Sequence, residues 1–259
     1  MQKYLLINHF FLLILLSLYL CTNSIAAQDP STDIIKKNIK ALGDKIINTS
    51  QEDKLLLHTD FKTHLTDLLN KKNSYKLDLS DILPLYVTTS PDNKFRIISW
   101  SIKISDNKWL YTSILQFNTK HSKWIELDNF LKNSNNHSDL SCIYYNVIVS
   151  SKKDKQYILL GWRKKNNSIN TKIIEPLTLD NNYHQLGSAI FSNYGANTYR
   201  LVFDYPNNST LLVDYQKGKR RILIEHLSEQ DNGNYMPDGS YDALKFNGAK
   251  WQLINNVAP

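Results

Sequence analysis

VTTSPDNKFRIISW, running from Val87 to Trp100, sets a turn between two apolar runs. Ser90-Pro91-Asp92-Asn93 supplies the residues that turn geometry selects, Pro for a fixed φ and Asp/Asn for local backbone hydrogen bonds. Phe95 to Trp100 then has the aromatic and β-branched content of a strand. The same pattern returns 62 residues downstream as VSSKKDKQYILLGW, from Val149 to Trp162, with Val, Asp and Trp identical and Tyr157 in the place of Phe95. Pro206-Asn207-Asn208 before Leu211-Leu212-Val213, and Pro237-Asp238-Gly239 before Tyr241, repeat the theme at uneven spacings. Duplication and convergent hairpin chemistry account for this equally well.

Outward from that stretch, apolar runs alternate with turn residues to the end of the chain. Trp109–Phe117 follows Phe95–Trp100 across the turn Ser105-Asp106-Asn107. Further strands are expected at Ile143–Val149, Tyr157–Trp162, Ile173–Leu179, Tyr199–Tyr205, Leu211–Tyr215 and Ile222–His226. A last hairpin is expected about Asn247-Gly248, between Phe246 and Trp251–Ile254. Short strands at regular spacing predict an antiparallel meander, closed as a sandwich, a barrel or a propeller-like array. Leu131–Leu140, rich in Asn and Ser, reads as a loop dividing the β region.

Upstream the period changes. Ile35, Ile39, Leu42 and Ile46 make one helical stripe over residues 31–49, interrupted by Gly43, and Leu57, Phe61, Leu65 and Leu68 make another over 51–72. Ser50 and Asp53 give the second a capping-box-like start. The expected fold class is therefore α+β: an N-terminal helical hairpin followed by an antiparallel β-rich domain. The expected division is a signal peptide at 1–27, a helical region at 28–80 and a β domain at 81–259.

The first 27 residues carry Lys3, the apolar run Phe10–Leu20 and the small residues Ser24, Ala26 and Ala27, the order of a secretory signal peptide. The apolar run is shorter than the roughly 20 residues of a membrane span. Export to the periplasm, the envelope or the medium is expected, with no transmembrane span in the mature chain. Cys21 gives a second reading, a lipoprotein cut before that cysteine, although Tyr19 and Leu20 are larger than such a signal prefers. Cleavage after Ala26 or Ala27 leaves Cys142 as the one cysteine, hence a domain held by its core rather than by disulfides. Cys142 heads an apolar run and reads as a buried structural thiol. The net charge of +7 accompanies an excess of Asn, Ile and Lys, so it reflects composition before it reflects a polyanionic partner, and nucleic acid is not expected.

Several stretches resemble a family of exported bacterial β-rich proteins of unknown function. They are Ser90–Ile97, Tyr157–Trp162, Lys172-Ile173-Ile174, Arg200–Phe203, Ile224–Leu227, Pro237–Phe246 and the pair Lys250-Trp251. The resemblance covers about 85–255 and implies export and a β-rich body. It implies no catalytic residue.

The chemistry expected from side chains is sparse. No H-E-x-x-H, P-loop or dinucleotide-binding glycine pattern occurs, and Gly187-Ser188 lacks the flanks of a nucleophile elbow. His58 and His64, six apart on the second helix, are expected to face solvent. Glu126, Glu175, Glu225, Asp214 and Asp242 lie near strands, where a fold can pair two carboxylates for glycoside hydrolysis. Asp231, Asn234, Asp238, Ser240 and Asp242 gather hard oxygens in one loop and form a calcium candidate. The competing reading is two β-turns. Lys152-Lys153, Arg163-Lys164-Lys165 and Lys217–Arg221 are the cation clusters an anionic polymer would use. Together these predict a non-enzymatic binding or envelope-associated module, with an envelope protein or polysaccharide as partner. The alternative is an extracytoplasmic hydrolase of glycan or peptide working through a carboxylate pair.

Overall fold

The computed structural model describes residues 30–127, 141–151, 155–180, 184–192, 198–230, 233 and 235–259. The signal segment, the Leu131–Leu140 loop and the calcium candidates Asp231 and Asn234 lie outside those residues. Two helices, α1 (Pro30–Asn48) and α2 (Gln51–Leu69), precede three β-sheets, so the class is α+β with a helical hairpin at the front. Both apolar stripes do what their spacing requires. Ile39 and Ile46 of α1 and Leu57, Phe61, Leu65 and Leu68 of α2 are buried in one cluster. Ser50 takes the extended backbone of an N-cap, but its side chain makes no cap hydrogen bond, so the expected capping box is absent. Gly43 is a close-approach residue: a Cβ there would lie 1.7 Å from the Leu83 carbonyl oxygen, so the chain from α2 to the first strand passes directly against α1.

The first sheet is a meander of β1 (Tyr86–Thr89), β2 (Phe95–Ser105), β3 (Lys108–Phe117) and β4 (Lys123–Glu126). The second has β5 (Ile143–Ser151), β6 (Gln156–Lys164) and β7 (Ile169–Leu179) in series, with β8 (His184–Leu186) and β10 (Leu201–Pro206) both on the outer edge of β7. The third runs β11 (Val213–Gln216), β12 (Arg221–Glu229), β13 (Tyr235–Phe246) and β14 (Trp251–Ile254). Its edge is completed by β9 (Phe191–Ser192), which crosses from the second sheet and pairs with β14 in parallel.

The layers stack in chain order: helices, first sheet, second sheet, third sheet. Ile98, Trp100, Ile102 and Ile114 meet the helices, while Phe95, Ile97 and Leu115 on the opposite face meet Tyr144, Tyr157, Leu159 and Ile173 of the second sheet. Ile148, Ile158, Leu160 and Ile174 then meet Ile222, Ile224, Leu244 and Trp251 of the third. The continuous apolar runs of β2 and β6 follow from this, because each strand is covered on both faces. First strands are tied to first strands: the Thr88 hydroxyl donates to the Tyr144 carbonyl at 2.9 Å, and the Tyr145 hydroxyl to the Val213 carbonyl at 2.8 Å. The three sheets are thus stacked in series. The helical hairpin covers one end of the stack. Residues 255–259 are fastened to the other, with the Val257 amide donating to the Tyr241 carbonyl at 2.8 Å.

The paired motifs at 87–100 and 149–162 both form first-to-second-strand hairpins. Their matching positions face opposite ways. Phe95 and Ile97 turn toward the second sheet and Trp100 toward the helices, whereas Tyr157 and Leu159 turn toward the first sheet and Trp162 toward the third. Phe95 and Tyr157 consequently meet edge to face, centroids 4.8 Å apart. A blade repeat would present matching residues to the same side, so shared hairpin chemistry is the better account. Residues 235–242 differ from the two-turn reading. Pro237-Asp238-Gly239 lies within β13, opposite a register break between Glu225 and Leu227, and Gly239 takes φ +82 there.

Candidate functional site

Where the first and second sheets splay apart at one end, three turns and a strand edge enclose a cavity of about 430 Å³, within the size range of small-ligand sites. Its floor is Phe95, Phe117, Tyr157 and Leu179; Lys94, Lys123 and Lys155 stand around it with Asn93, Asn118, Thr119, Asp180 and His184. The turn before β2 is fixed locally. The Ser90 hydroxyl oxygen accepts from the Lys94 and Phe95 amides, and Asn93 takes the left-handed conformation at φ 55, which Asn tolerates. The Asn118 amide group donates to the Asn93 carbonyl at 2.8 Å, and the Asn118 backbone to the Lys94 carbonyl at 2.8 Å, locking the β1–β2 and β3–β4 turns together.

Electrostatics on the floor are set by one hydrogen bond. The Tyr157 hydroxyl donates to Asp92 Oδ2 at 2.9 Å, and Lys94 Nζ lies 3.3 Å from the same oxygen. Burial and the Asp92 charge push the Tyr157 phenol far above its ordinary value, so it remains a donor. Burial pushes Asp92 up, but hydrogen bonds from Tyr157, Ser90 and Lys94 outweigh it and hold the carboxyl below its ordinary value. Above the floor, the Phe117 and His184 rings lie 5.5 Å apart, and Lys123 Nζ sits 4.9 Å from the Phe117 centroid. Lys155 Nζ reaches Asp180 at 2.8 Å. Among the described residues Asp92 and Asp180 pair with two of the three cations, Lys94 and Lys155, and Lys123 supplies the net positive charge of the rim.

The residues singled out from sequence fall elsewhere. Asp238 accepts from both the amide and the hydroxyl of Ser240, at 2.8 and 2.7 Å, and Asp242 accepts from His226 Nδ1 at 2.8 Å and from the Asn256 amide at 3.1 Å. These carboxylates are engaged within the chain, and among the described residues no group of three or more His, Cys, Asp or Glu is placed to hold a metal. The five acids scatter over three sheets. Glu126 pairs with Lys62 at 2.8 Å, and Glu225 accepts from the Leu212 amide at 3.1 Å. Asp214 and Asp242 lie on β11 and β13. Glu175 is fully buried, bonded by the Tyr144 hydroxyl at 2.8 Å and by Arg200. Burial pushes Glu175 above its ordinary value, opposed by Arg200 and the Tyr144 bond.

His58 corrects the expectation for helix histidines: it is buried against Trp100, shares a 3.1 Å hydrogen bond with the Thr112 hydroxyl, and is pushed down to about 4 by burial and then by Lys62. Cys142 is buried as expected, and burial raises its thiol far from reactivity. Among the cation clusters, Arg163 lies over Tyr111, Lys164 over Trp109, and Lys165 pairs with Asp204 at 2.6 Å; Lys219 and Arg221 donate to the Pro259 and Ala258 carbonyls. Lys152 and Lys153 lie outside the described residues. Lys94, Lys123, Lys155 and His184 were not singled out from sequence. The available signal was that Lys94 and Lys155 lie one and two residues before the aromatics Phe95 and Tyr157 at the starts of their strands.

No protein family, curated protein or solved structure was found to match the chain.

Proposed function

We propose that the protein is an exported, non-enzymatic binding module that holds a small anionic ligand with a ring in the groove between its first two sheets. The observation that carries this is the convergence of Lys94 and Lys155, from two turns, and Lys123, from the start of β4, around an aromatic floor. The cations meet the charge, and Phe117, Tyr157 and His184 offer faces and edges to the ring. Export rests on the order of residues 1–27, and no helix among the described residues is long and apolar enough to cross a membrane. Hydrolysis through a carboxylate pair is disfavoured here because, among the described residues, Asp180 is the one acid in the groove's lining.

Calorimetric titration with galacturonate and benzoate, each against a neutral counterpart (galactose, benzyl alcohol), tests the reading. At least one of the acids should bind better than its neutral counterpart, more weakly as salt is raised. The double substitution Lys94→Ala/Lys123→Ala should reduce that affinity by about tenfold, roughly 1.4 kcal/mol. No binding of either acid, or binding indifferent to both lysines, would sink it.

A further inference from the structure

We infer that the ligand is a chain of acidic sugars, which runs from the groove across the β3–β4 turn into a second cavity; this rests on the groove reading above. The second cavity, about 560 Å³, is lined by Asn70, Lys72, Asn73, Lys120, His121 and Ser122. The two cavities share one turn. Asn118, Thr119 and Lys123 line the groove, and the residues between them, Lys120 to Ser122, line the second cavity. The rim is continuous: the Tyr75 hydroxyl donates to Asn93 Oδ1 at 2.9 Å, and the Ser122 hydroxyl donates to the Lys71 carbonyl. Thus the end of α2, the β1–β2 turn and the β3–β4 turn form one wall.

The chemistry along that wall selects the ligand. Lys72 and Lys120 add to the net positive charge that Lys123 gives the groove rim, and among the described residues no carboxylate lines the second cavity. A ligand carrying a carboxylate on each unit meets a cation in both places. Asn73 adds a side-chain amide, and Asn70 and Asn93, whose Oδ1 atoms accept from Trp124 and Tyr75, present their Nδ2 groups as donors to hydroxyl groups, the commonest polar group of a sugar chain. A single nucleic-acid strand is a poorer match. It needs an aromatic platform for successive bases, and the second cavity has no Phe, Tyr or Trp in its lining.

Titration of the protein with galacturonate monomer, dimer, tetramer and hexamer tests this. Affinity should rise about tenfold from monomer to tetramer and then level off. Lys72→Ala/Lys120→Ala should erase the gain with length and leave monomer binding unchanged, whereas Lys123→Ala should weaken every length. Unchanged melting temperatures would exclude misfolding as the cause. Equal affinity for monomer and tetramer would overturn the chain and leave the groove reading standing. Failure of every acidic sugar, with benzoate also unbound, would overturn both. Tighter binding of an oligothymidylate 12-mer, or equal binding of neutral galactose oligomers, would also overturn the chain of acidic sugars.

Discussion

The two sheet-on-sheet interfaces are built from different materials. Between the second and third sheets the contact centres on Ile148, Ile158, Leu160 and Ile174 against Ile222, Ile224, Leu244 and Trp251. Trp162 Nε1 donates to the Tyr205 hydroxyl at 3.1 Å, and Trp251 Nε1 to the Ser150 hydroxyl at 2.9 Å. Between the first and second sheets, buried polar groups run through the middle. The Ser113 hydroxyl bridges Ser99 Oγ at 3.1 Å and the Cys142 carbonyl at 2.9 Å, and Glu175 is held by Tyr144 and Arg200. Apolar contact is non-directional and stabilises by area. Hydrogen bonds are directional, and a slip of one residue would break the ones that cross between the sheets, from the Ser113 hydroxyl to the Cys142 carbonyl, from the Thr88 hydroxyl to the Tyr144 carbonyl and from the Tyr144 amide to Ser99 Oγ. The polar interface thus defines one alignment of two sheets, and with it the register of the three lysines that line the groove at its end.

Breaking the ion pair should have the largest effect. Arg200→Met leaves the Glu175 carboxylate buried and uncompensated, and should lower stability to urea by about 3–5 kcal/mol. Glu175→Leu/Arg200→Met removes both charges and should recover most of that loss. A small cost for the single variant, or no recovery in the double, would refute the contrast. The apolar interface should respond to volume alone. Leu160→Ala should cost about 3 kcal/mol by deleting buried methyl groups, and no partner substitution that alters only charge should restore it.

These differences bear on what could be read beforehand. Helices and strands were legible because burial of a face imposes a period: Ile39 and Ile46, or the two-sided runs of β2 and β6, follow from it directly. The stacking order was not legible, because Phe95 and Tyr157 occupy matching places in their motifs and yet face each other. That depends on the path between sheets rather than on local pattern. Glu175 and Arg200 looked like ordinary strand-side charges, and only the pairing of β7 with β10 puts them together inside. The groove was hidden for the same reason: Lys94, Lys123 and Lys155 lie far apart in the chain and meet only when the two sheets stack.

The helical layer offers the finest comparison, an apolar cluster that buries a histidine. His58 packs on Trp100 beside Phe61 and Leu57, bonded to Thr112, with Lys62 as the nearest charge acting on it. Its folded-state value of about 4 lies below the unfolded value of 6.5. Between those two values the unfolded chain binds a proton that the folded chain refuses, so acidification favours unfolding. Stability should hold from neutral pH down to about 6.5, then fall by about 2 kcal/mol by roughly pH 5, and level off below about 4 as far as this group is concerned. His58→Gln keeps a partner for Thr112 and has nothing to titrate, so its urea midpoint should decline less over the same window. Parallel decline in the two proteins would assign the acid sensitivity to other groups and leave the histidine a silent part of the core.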